Sequence, residues 1–171
     1  MAQHAVHLNN GDARLQRVYI DQLSDIHAAE QQARGIFPDM ATVAAGEDVA
    51  AVFRAAASET EVQLARLDGL LEALELEVDE RVVAPSELLD DARQVLATDQ
   101  EVDDQDDLLL RSARQSIRHQ ISGYESACST ARRLGDFRTL DVLLLSLDEE
   151  LATDSLLSEI VSRRSRFLRA I

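Results

Sequence analysis

The sequence predicts an all-α fold, a bundle of four long helices with a long crossover connection between the second and the third. Glycine and proline, which interrupt helices, contribute only 6 and 2 of the 171 residues. Apolar residues make up 46% of the chain, and they recur at helical spacing in four long segments. The stretch between the second and third segments lacks a long run of this spacing, so we expect a connection there.

The first two segments predict a helical hairpin. The first runs from about Asp12 into the low forties, and Pro38 predicts a kink or a boundary within it. Gly46 interrupts the chain, and the second segment runs from about Asp48 to Glu77. Each segment has an apolar stripe: Leu15, Tyr19, Leu23, Ile26, Ala33, Phe37 and Met40 in the first, and Val49, Val52, Phe53, Ala56, Leu67, Leu70 and Leu74 in the second.

The connection is expected to contain one short helix. It includes Pro85, and Ser86 predicts the N-cap of a helix that carries Leu88, Leu89 and Val95. The acidic run EVDDQDD follows at 101–107. Its aspartates suit the positive end of the next helix, so we interpret Asp103, Asp104, Asp106 and Asp107 as a solvated helix end.

The last two segments predict a second hairpin. The third runs from about Asp106 to Leu134 and the fourth from about Asp136 to Arg169, with Gly135 expected just after one helix and Asp136 as the cap of the next. Arginines near the end of the fourth segment suit a solvated, negative helix end. The stripes are Leu110, Ala113, Ile117, Ile121, Tyr124, Ala127, Cys128 and Ala131, then Leu140, Leu143, Leu144, Leu147, Leu151, Leu157, Val161 and Leu168; the arginines are Arg163, Arg164, Arg166 and Arg169.

Two antiparallel hairpins joined by a long crossover form a ferritin-like four-helix bundle, in contrast to a bundle that runs simply up and down. We expect one such domain over residues 12–171, after a flexible tail over 1–11. No apolar signal segment opens the sequence, so the cytoplasm is the expected location. The single cysteine, Cys128, excludes an internal disulfide and is expected in the core.

The net charge of −15 makes nucleic acid and anionic membrane unexpected partners, because both require a basic surface. No small-molecule substrate is indicated, and nothing pairs a nucleophile with a base, so we do not expect an enzyme.

Polar side chains interrupt all four apolar stripes near their middles. A buried, unpaired carboxylate costs several kcal/mol or takes up a proton, and a shared cation would remove that cost. Oxygen ligands from several helices at one level of a bundle suit iron or manganese. The alternative is a neutral hydrogen-bond network that includes Tyr124, or a position at the edge of the stripe with access to solvent. The candidate metal ligands are Glu30, Glu59, Gln63, Gln120, Glu150 and Asp154.

Four stretches resemble the YciF/YciE-type ferritin-like proteins, a family of bacterial stress-associated proteins without a defined biochemical role. They are DQLSDIHAAEQQ (21–32), ETEVQLARLDGLLEAL (59–74), SGYESACSTARRLG (122–135) and LDEELATDSLLSEI (147–160). The resemblance implies a usually dimeric bundle with a candidate di-metal site between the helices. By position, Glu30 matches the glutamate of the first helix, Glu59 and Gln63 the pair on the second, and Glu150 and Asp154 the pair on the fourth.

The third helix departs from that family. Its members typically have two glutamates where this chain reads SIRHQISGY (116–124), with Ile117 and Gln120 at those positions. No helix carries a Glu-x-x-His pair, and we expect His27 and His119 to point away from the core. The first functional hypothesis is therefore a stress-associated protein with a degenerate, oxygen-ligand metal site. The alternative is a metal-free helical interaction module that keeps the family fold.

A homodimer is expected mainly from the resemblance. The second and fourth segments are apolar on more than one side, which fits helices that bury two faces. The additional apolar residues are Leu70, Leu71, Leu74 and Leu76 on the second segment and Val142 to Leu145 on the fourth.

Overall fold

The computed structural model describes residues 10–74, 87–98 and 104–168. Several residues with sequence predictions lie outside these ranges: residues 1–9 of the predicted tail over 1–11, Leu76, Pro85, Ser86, Asp103 and Arg169. The helices are α1 (Asn10–Val43), α2 (Glu47–Ala73), α3 (Asp90–Leu96), α4 (Gln105–Leu134) and α5 (Phe137–Leu168). A 3₁₀ turn, Glu87–Leu89, leads directly into the short helix α3.

The four long helices form a bundle in which each packs against two neighbours. Helix α1 packs against α2 and α4, and α5 packs against α4 and α2. The short helix α3 belongs to the crossover and packs on α4 and α1. The predicted all-α, ferritin-like four-helix bundle, with a crossover that contains a short helix, is thereby confirmed.

Helix α1 continues through Pro38 and ends at Val43, so the proline does not mark a boundary. A proline removes one backbone N–H and leaves the carbonyl one turn earlier, here that of Arg34, without its usual partner. Both Arg34 and Pro38 are exposed. Water can therefore bind that carbonyl, and the helix tolerates the proline.

The turn between α4 and α5 follows the predicted chemistry. Gly135 adopts φ 71°, a left-handed conformation that glycine takes without steric cost. Asp136 Oδ1 then accepts a hydrogen bond of 3.1 Å from the Thr139 amide, which caps α5 as expected.

The acidic start of α4 is not the solvated helix end that the sequence suggested. Asp106 is only 3% exposed, and its carboxylate accepts hydrogen bonds from the amides of Ala45 and Gly46 at 2.8 and 2.9 Å. Arg164 near the end of α5 also contacts Asp106, at 3.1 Å, and Asp107, at 2.9 Å. These aspartates therefore bind the turn between α1 and α2 to the opposite helix end, which a view of α4 alone could not indicate.

Two apolar clusters fill the two halves of the bundle. One includes Phe37 and Phe53, whose ring centroids lie 6.4 Å apart, and the other includes Tyr19, Leu67 and Leu143. Most of the predicted stripe residues are buried, and Cys128 is in the core as predicted. Leu74 and Leu151 are exceptions, because they are 38% and 44% exposed. The buried face of α5 instead includes Leu147, Glu150, Thr153, Leu157 and Ile160.

Candidate metal centre

A level of buried polar side chains separates the two apolar clusters. Glu30, Gln63, Gln120 and Glu150 are exposed by 0%, 0%, 1% and 5%, and they come from α1, α2, α4 and α5. We refer to these four residues as the polar layer. The structure thus brings together one predicted residue from each long helix.

Helical spacing explains why these side chains point inward. Glu30 follows Ile26 by four residues, and Gln120 precedes Tyr124 by four; both Ile26 and Tyr124 are buried. Gln63 precedes the buried Leu67 by four residues, and Glu150 follows the buried Leu147 by three and precedes the buried Leu157 by seven. Residues three or four apart share one face of a helix, so the polar layer lies on the faces that bury the core.

The polar layer contains several oxygen atoms without a hydrogen-bond partner. The hydroxyl of Tyr124 donates to Glu30 Oε1 at 2.9 Å, and Gln63 Nε2 makes a longer contact of 3.4 Å to Glu149 Oε2. Buried polar atoms in native proteins nearly always have a partner. The atoms that lack one within the described residues are Glu30 Oε2, Gln63 Oε1, Glu150 Oε2 and both amide atoms of Gln120.

The two carboxyl groups of the polar layer resist ionisation. Burial raises the pKa of Glu30 to about 7, and the hydroxyl of Tyr124 and the amide of Gln120 offset part of that rise. Burial also raises the pKa of Glu150 to about 9, with a further contribution from the neighbouring charge of Glu30. The pKa of Tyr124 is raised as well, by burial and then by Glu30. A nearby positive charge would lower these pKa values, so the raised values indicate that neither carboxyl group has a positive partner in the layer.

Glu59, another predicted ligand, lies at the edge of the core. It is partly buried and accepts a hydrogen bond from Thr153 Oγ1 at 2.9 Å. One turn after Gln63 on the same helix, Arg66 binds Glu149 through two hydrogen bonds of 2.6 and 2.9 Å. This ion pair was not predicted from the sequence, although Arg66 follows Gln63 by three residues and therefore lies on a neighbouring part of the same helix face.

Asp154 lies among arginines rather than in the polar layer. Its carboxylate is 3.0 Å from Arg114 Nε and 3.3 Å from Arg118 Nε. Burial acts to raise the pKa of Asp154, but the hydrogen bond and charge of Arg114, with a smaller contribution from Arg118, outweigh it and hold the pKa below its usual range. The structure therefore does not group Asp154 with Glu30 and Glu150.

The two histidines near the layer differ. His119 is exposed, in agreement with the prediction. His27 is 5% exposed, contrary to the prediction that it points off the core face, and its Nε2 lies 2.7 Å from Asp68 Oδ1 of α2. An acidic partner on another helix allows burial of this imidazole, and sequence spacing within α1 cannot reveal such a partner.

The donor chemistry of the polar layer fits one hard cation better than two. Within residues 10–74, 87–98 and 104–168, no group of three or more His, Cys, Asp or Glu side chains could hold a metal ion. The layer instead combines two carboxylates with two neutral amides, and carboxylate and carbonyl oxygens suit manganese, magnesium or calcium. Ile117, which is 1% exposed, adds no ligand.

A family model described as "Domain of unknown function (DUF892)" matches residues 14–166. The chain belongs to the DUF892 family. This DUF892 chain is 27% identical over 148 residues to protein YciF of Escherichia coli strain K12, a match that covers 85% of this chain and 89% of YciF.

The solved structures give the same fold. The crystal structure of the Escherichia coli stress protein YciF matches with a TM-score of 0.79 at 26% identity, over 89% of this chain and 97% of that one. YcfI of Rhodopseudomonas palustris matches with a TM-score of 0.75 at 21% identity, over 91% and 98%. Among the residues that the structure of this DUF892 protein describes, no helix has the length and apolar character to cross a bilayer.

Proposed function

We propose that this protein binds a single hard divalent cation, with Mn²⁺ as the best fit, in the polar layer. Glu30 and Glu150 would supply two negative charges, and Gln63 and Gln120 two neutral amide oxygens. The observation that carries the proposal is the set of unpartnered, buried oxygen atoms that these four residues share. A cation would give those oxygens a partner. It would also supply the positive charge that the two buried carboxylates need.

The proposal gives Glu59 and Asp154 an indirect part. Glu59 is held by Thr153 and Asp154 by Arg114 and Arg118, so binding to the cation would require each to leave a partner. Oxygen ligands alone, with Ile117 on the α4 wall, favour weak binding of one ion. The similarity to YciF supports a stress-associated role, and the cytoplasmic location stays a prediction.

The test is a Mn²⁺ titration followed by electron paramagnetic resonance. The double variant Glu30→Gln/Glu150→Gln keeps the size of both side chains and removes both charges. Its matched control is Glu61→Gln/Glu159→Gln, which changes two exposed glutamates, one on α2 and one on α5, and gives the same net charge. We expect one bound Mn²⁺ per chain in the wild type and in the control, and none in the double variant. Equal binding by all three proteins would contradict the proposal.

A second candidate is the metal-free interaction module, and one surface favours it. The sides of α2 and α5 that face away from the core form an outer face of small and apolar side chains. Charged residues are usual at such positions on a surface helix. Val62 and Leu145 are 49% and 50% exposed. The outer face consists of Ala51, Ala55, Val62, Ala65 and Gly69 on α2, and Leu145 and Leu156 on α5.

We propose a second copy of this chain as the occupant of the outer face. The resemblance described above implies dimers, and the flank of α2 has complementary charges: with two α2 helices antiparallel about Val62, Arg54 of one copy approaches Glu72 of the other. Val62→Glu should convert a dimer into a monomer in light scattering after size-exclusion chromatography. The control is Val18→Glu, because Val18 is 42% exposed and lies on α1. A dimer that survives Val62→Glu would exclude this interface.

A further inference from the structure

A cleft of about 500 Å³ opens between α1 and α4 at the level of the polar layer. Small residues face each other across it, among them Ala28, Ala29 and Ser122, and their short side chains leave the space unfilled. Polar groups also line the cleft, including the exposed side chains of Asp25 and His119.

Gln120 connects this cleft with the interior. It lines the cleft, it is 1% exposed, and it is the neighbour of Glu30 in the polar layer. Its amide is near enough to Glu30 to offset part of the rise in that carboxyl's pKa, but neither amide atom meets a partner among the described residues at hydrogen-bond distance and angle. Gln22 also lines the cleft, and its buried Oε1 is likewise unpartnered. Unsatisfied polar atoms at the floor of a cleft of this size provide places for water or for a hydrated ion.

The other three helix interfaces near the polar layer are each bridged by an ion pair or a hydrogen bond. Arg66 and Glu149 bridge α2 and α5, Arg114 and Asp154 bridge α4 and α5, and His27 with Asp68 bridges α1 and α2. The arginines also repel an approaching cation. The α1–α4 cleft instead has the carboxylate of Asp25 at its mouth, and the described residues that line it include no arginine.

We propose that the α1–α4 cleft is the entrance through which a hydrated divalent cation reaches the polar layer, an inference that rests on the proposed function. Asp25 attracts the ion at the mouth. The amide and hydroxyl oxygens along the cleft replace waters of its hydration shell, and Gln120 is the group through which the ion passes to Glu30.

The test measures the rate of Mn²⁺ entry separately from the amount bound. Tyr124 donates to Glu30, so its fluorescence should change when Glu30 binds the ion. The chain has two tyrosines and no tryptophan, and Tyr19→Phe therefore leaves Tyr124 as the only reporter. Stopped-flow fluorescence in this background gives the association rate, and electron paramagnetic resonance gives the bound Mn²⁺ at equilibrium.

Ser122→Phe covers the mouth of the cleft from an exposed position of α4, and Ser129→Phe is the control, since Ser129 is exposed on the same side of α4 but does not line this cleft. We expect Ser122→Phe to slow association by about tenfold or more with unchanged occupancy, and Ser129→Phe to have no effect. An unchanged association rate in Ser122→Phe, at full occupancy, would overturn the proposed entrance but leave the proposed cation site in place.

A second pair of variants tests the mouth without adding bulk. Asp25→Asn should slow association several-fold and weaken its dependence on salt, whereas Asp21→Asn, one turn earlier and outside the cleft lining, should not. Equal rates for the two variants would count against the entrance. Absence of bound Mn²⁺ in the wild type would instead refute the proposed function, and the entrance with it.

Discussion

Glu150 and Asp154 lie one turn apart on α5, and their surroundings differ completely. Asp154 contacts two guanidinium groups, and its pKa is lowered. Glu150 is 5% exposed, has an unpartnered oxygen and lies near a second carboxyl group, so its pKa is raised to about 9. Asp154 thus has positively charged partners within the protein, and Glu150 does not.

This difference distinguishes a structural ion pair from a candidate binding site. A protein can compensate a buried acid with arginine, as at Asp154, and the result joins two helices. At Glu30 and Glu150 the compensation is left out, and the carboxyls remain neutral or require an external cation. The comparison predicts that added negative charge will have much larger effects in the polar layer than near Asp154.

The largest expected effect comes from Gln120→Glu, which adds a third carboxyl group to the layer. Without metal, the free energy of unfolding should fall by roughly 3 kcal/mol or more, because the new carboxyl group is buried without a positive partner and must either stay charged or take up a proton. Saturating Mn²⁺ should restore most of that loss, since the ion binds only the folded site. Urea denaturation with and without Mn²⁺ measures the loss and its recovery. A variant as stable as the wild type without metal would contradict the difference drawn between Glu150 and Asp154.

The next effect is a dependence of stability on pH in the metal-free protein. The folded state keeps protons on Glu30 and Glu150 up to pKa values of about 7 and 9, whereas the unfolded state loses them near pH 4.5. Stability from these groups is therefore complete below pH 4.5 and is lost as the pH rises to about 9. We expect a loss of several kcal/mol between pH 5 and 8, to which both groups contribute, and a flatter profile in Glu150→Gln. Equal profiles for the two proteins would contradict the raised pKa.

Removal of the compensated acid should have a smaller effect. Asp154→Asn keeps the shape of the side chain but leaves Arg114 and Arg118 without their negative partner. Because Arg118 is exposed and solvent screens the pair, we expect a loss of about 1 kcal/mol and no change in Mn²⁺ binding. Thermal unfolding measures the loss of stability, and a Mn²⁺ titration measures metal binding. Loss of Mn²⁺ binding in this variant would show that Asp154 belongs to the metal site.

The smallest effect is expected from Tyr124→Phe, which removes the hydroxyl that donates to Glu30. The free energy of unfolding should fall by about 1 kcal/mol, the usual contribution of one buried hydrogen bond. The pKa of Glu30 should rise further, because that hydrogen bond favours the charged form. Carbon-13 NMR of the glutamate carboxyl groups measures this pKa, and an unchanged value would show that the hydroxyl does not act on Glu30.

The predictable parts of this protein are those that depend on one helix at a time. The fold and the inward direction of Glu30, Gln63, Gln120 and Glu150 follow from spacing along each helix. A step of four residues advances slightly more than one turn, so Asp154 lies further around α5 than Glu150 and meets α4. The buried states of His27 and Asp106 depend on partners from other helices and turns, which no single-helix pattern contains.

The most direct test of the account is a crystal structure of the protein soaked in Mn²⁺, with an anomalous difference map. The account predicts one peak per chain within coordination distance of Glu30 and Glu150, beside the amides of Gln63 and Gln120. A map with no peak in the polar layer at saturating Mn²⁺, or with its strongest peak elsewhere on the chain, would contradict it.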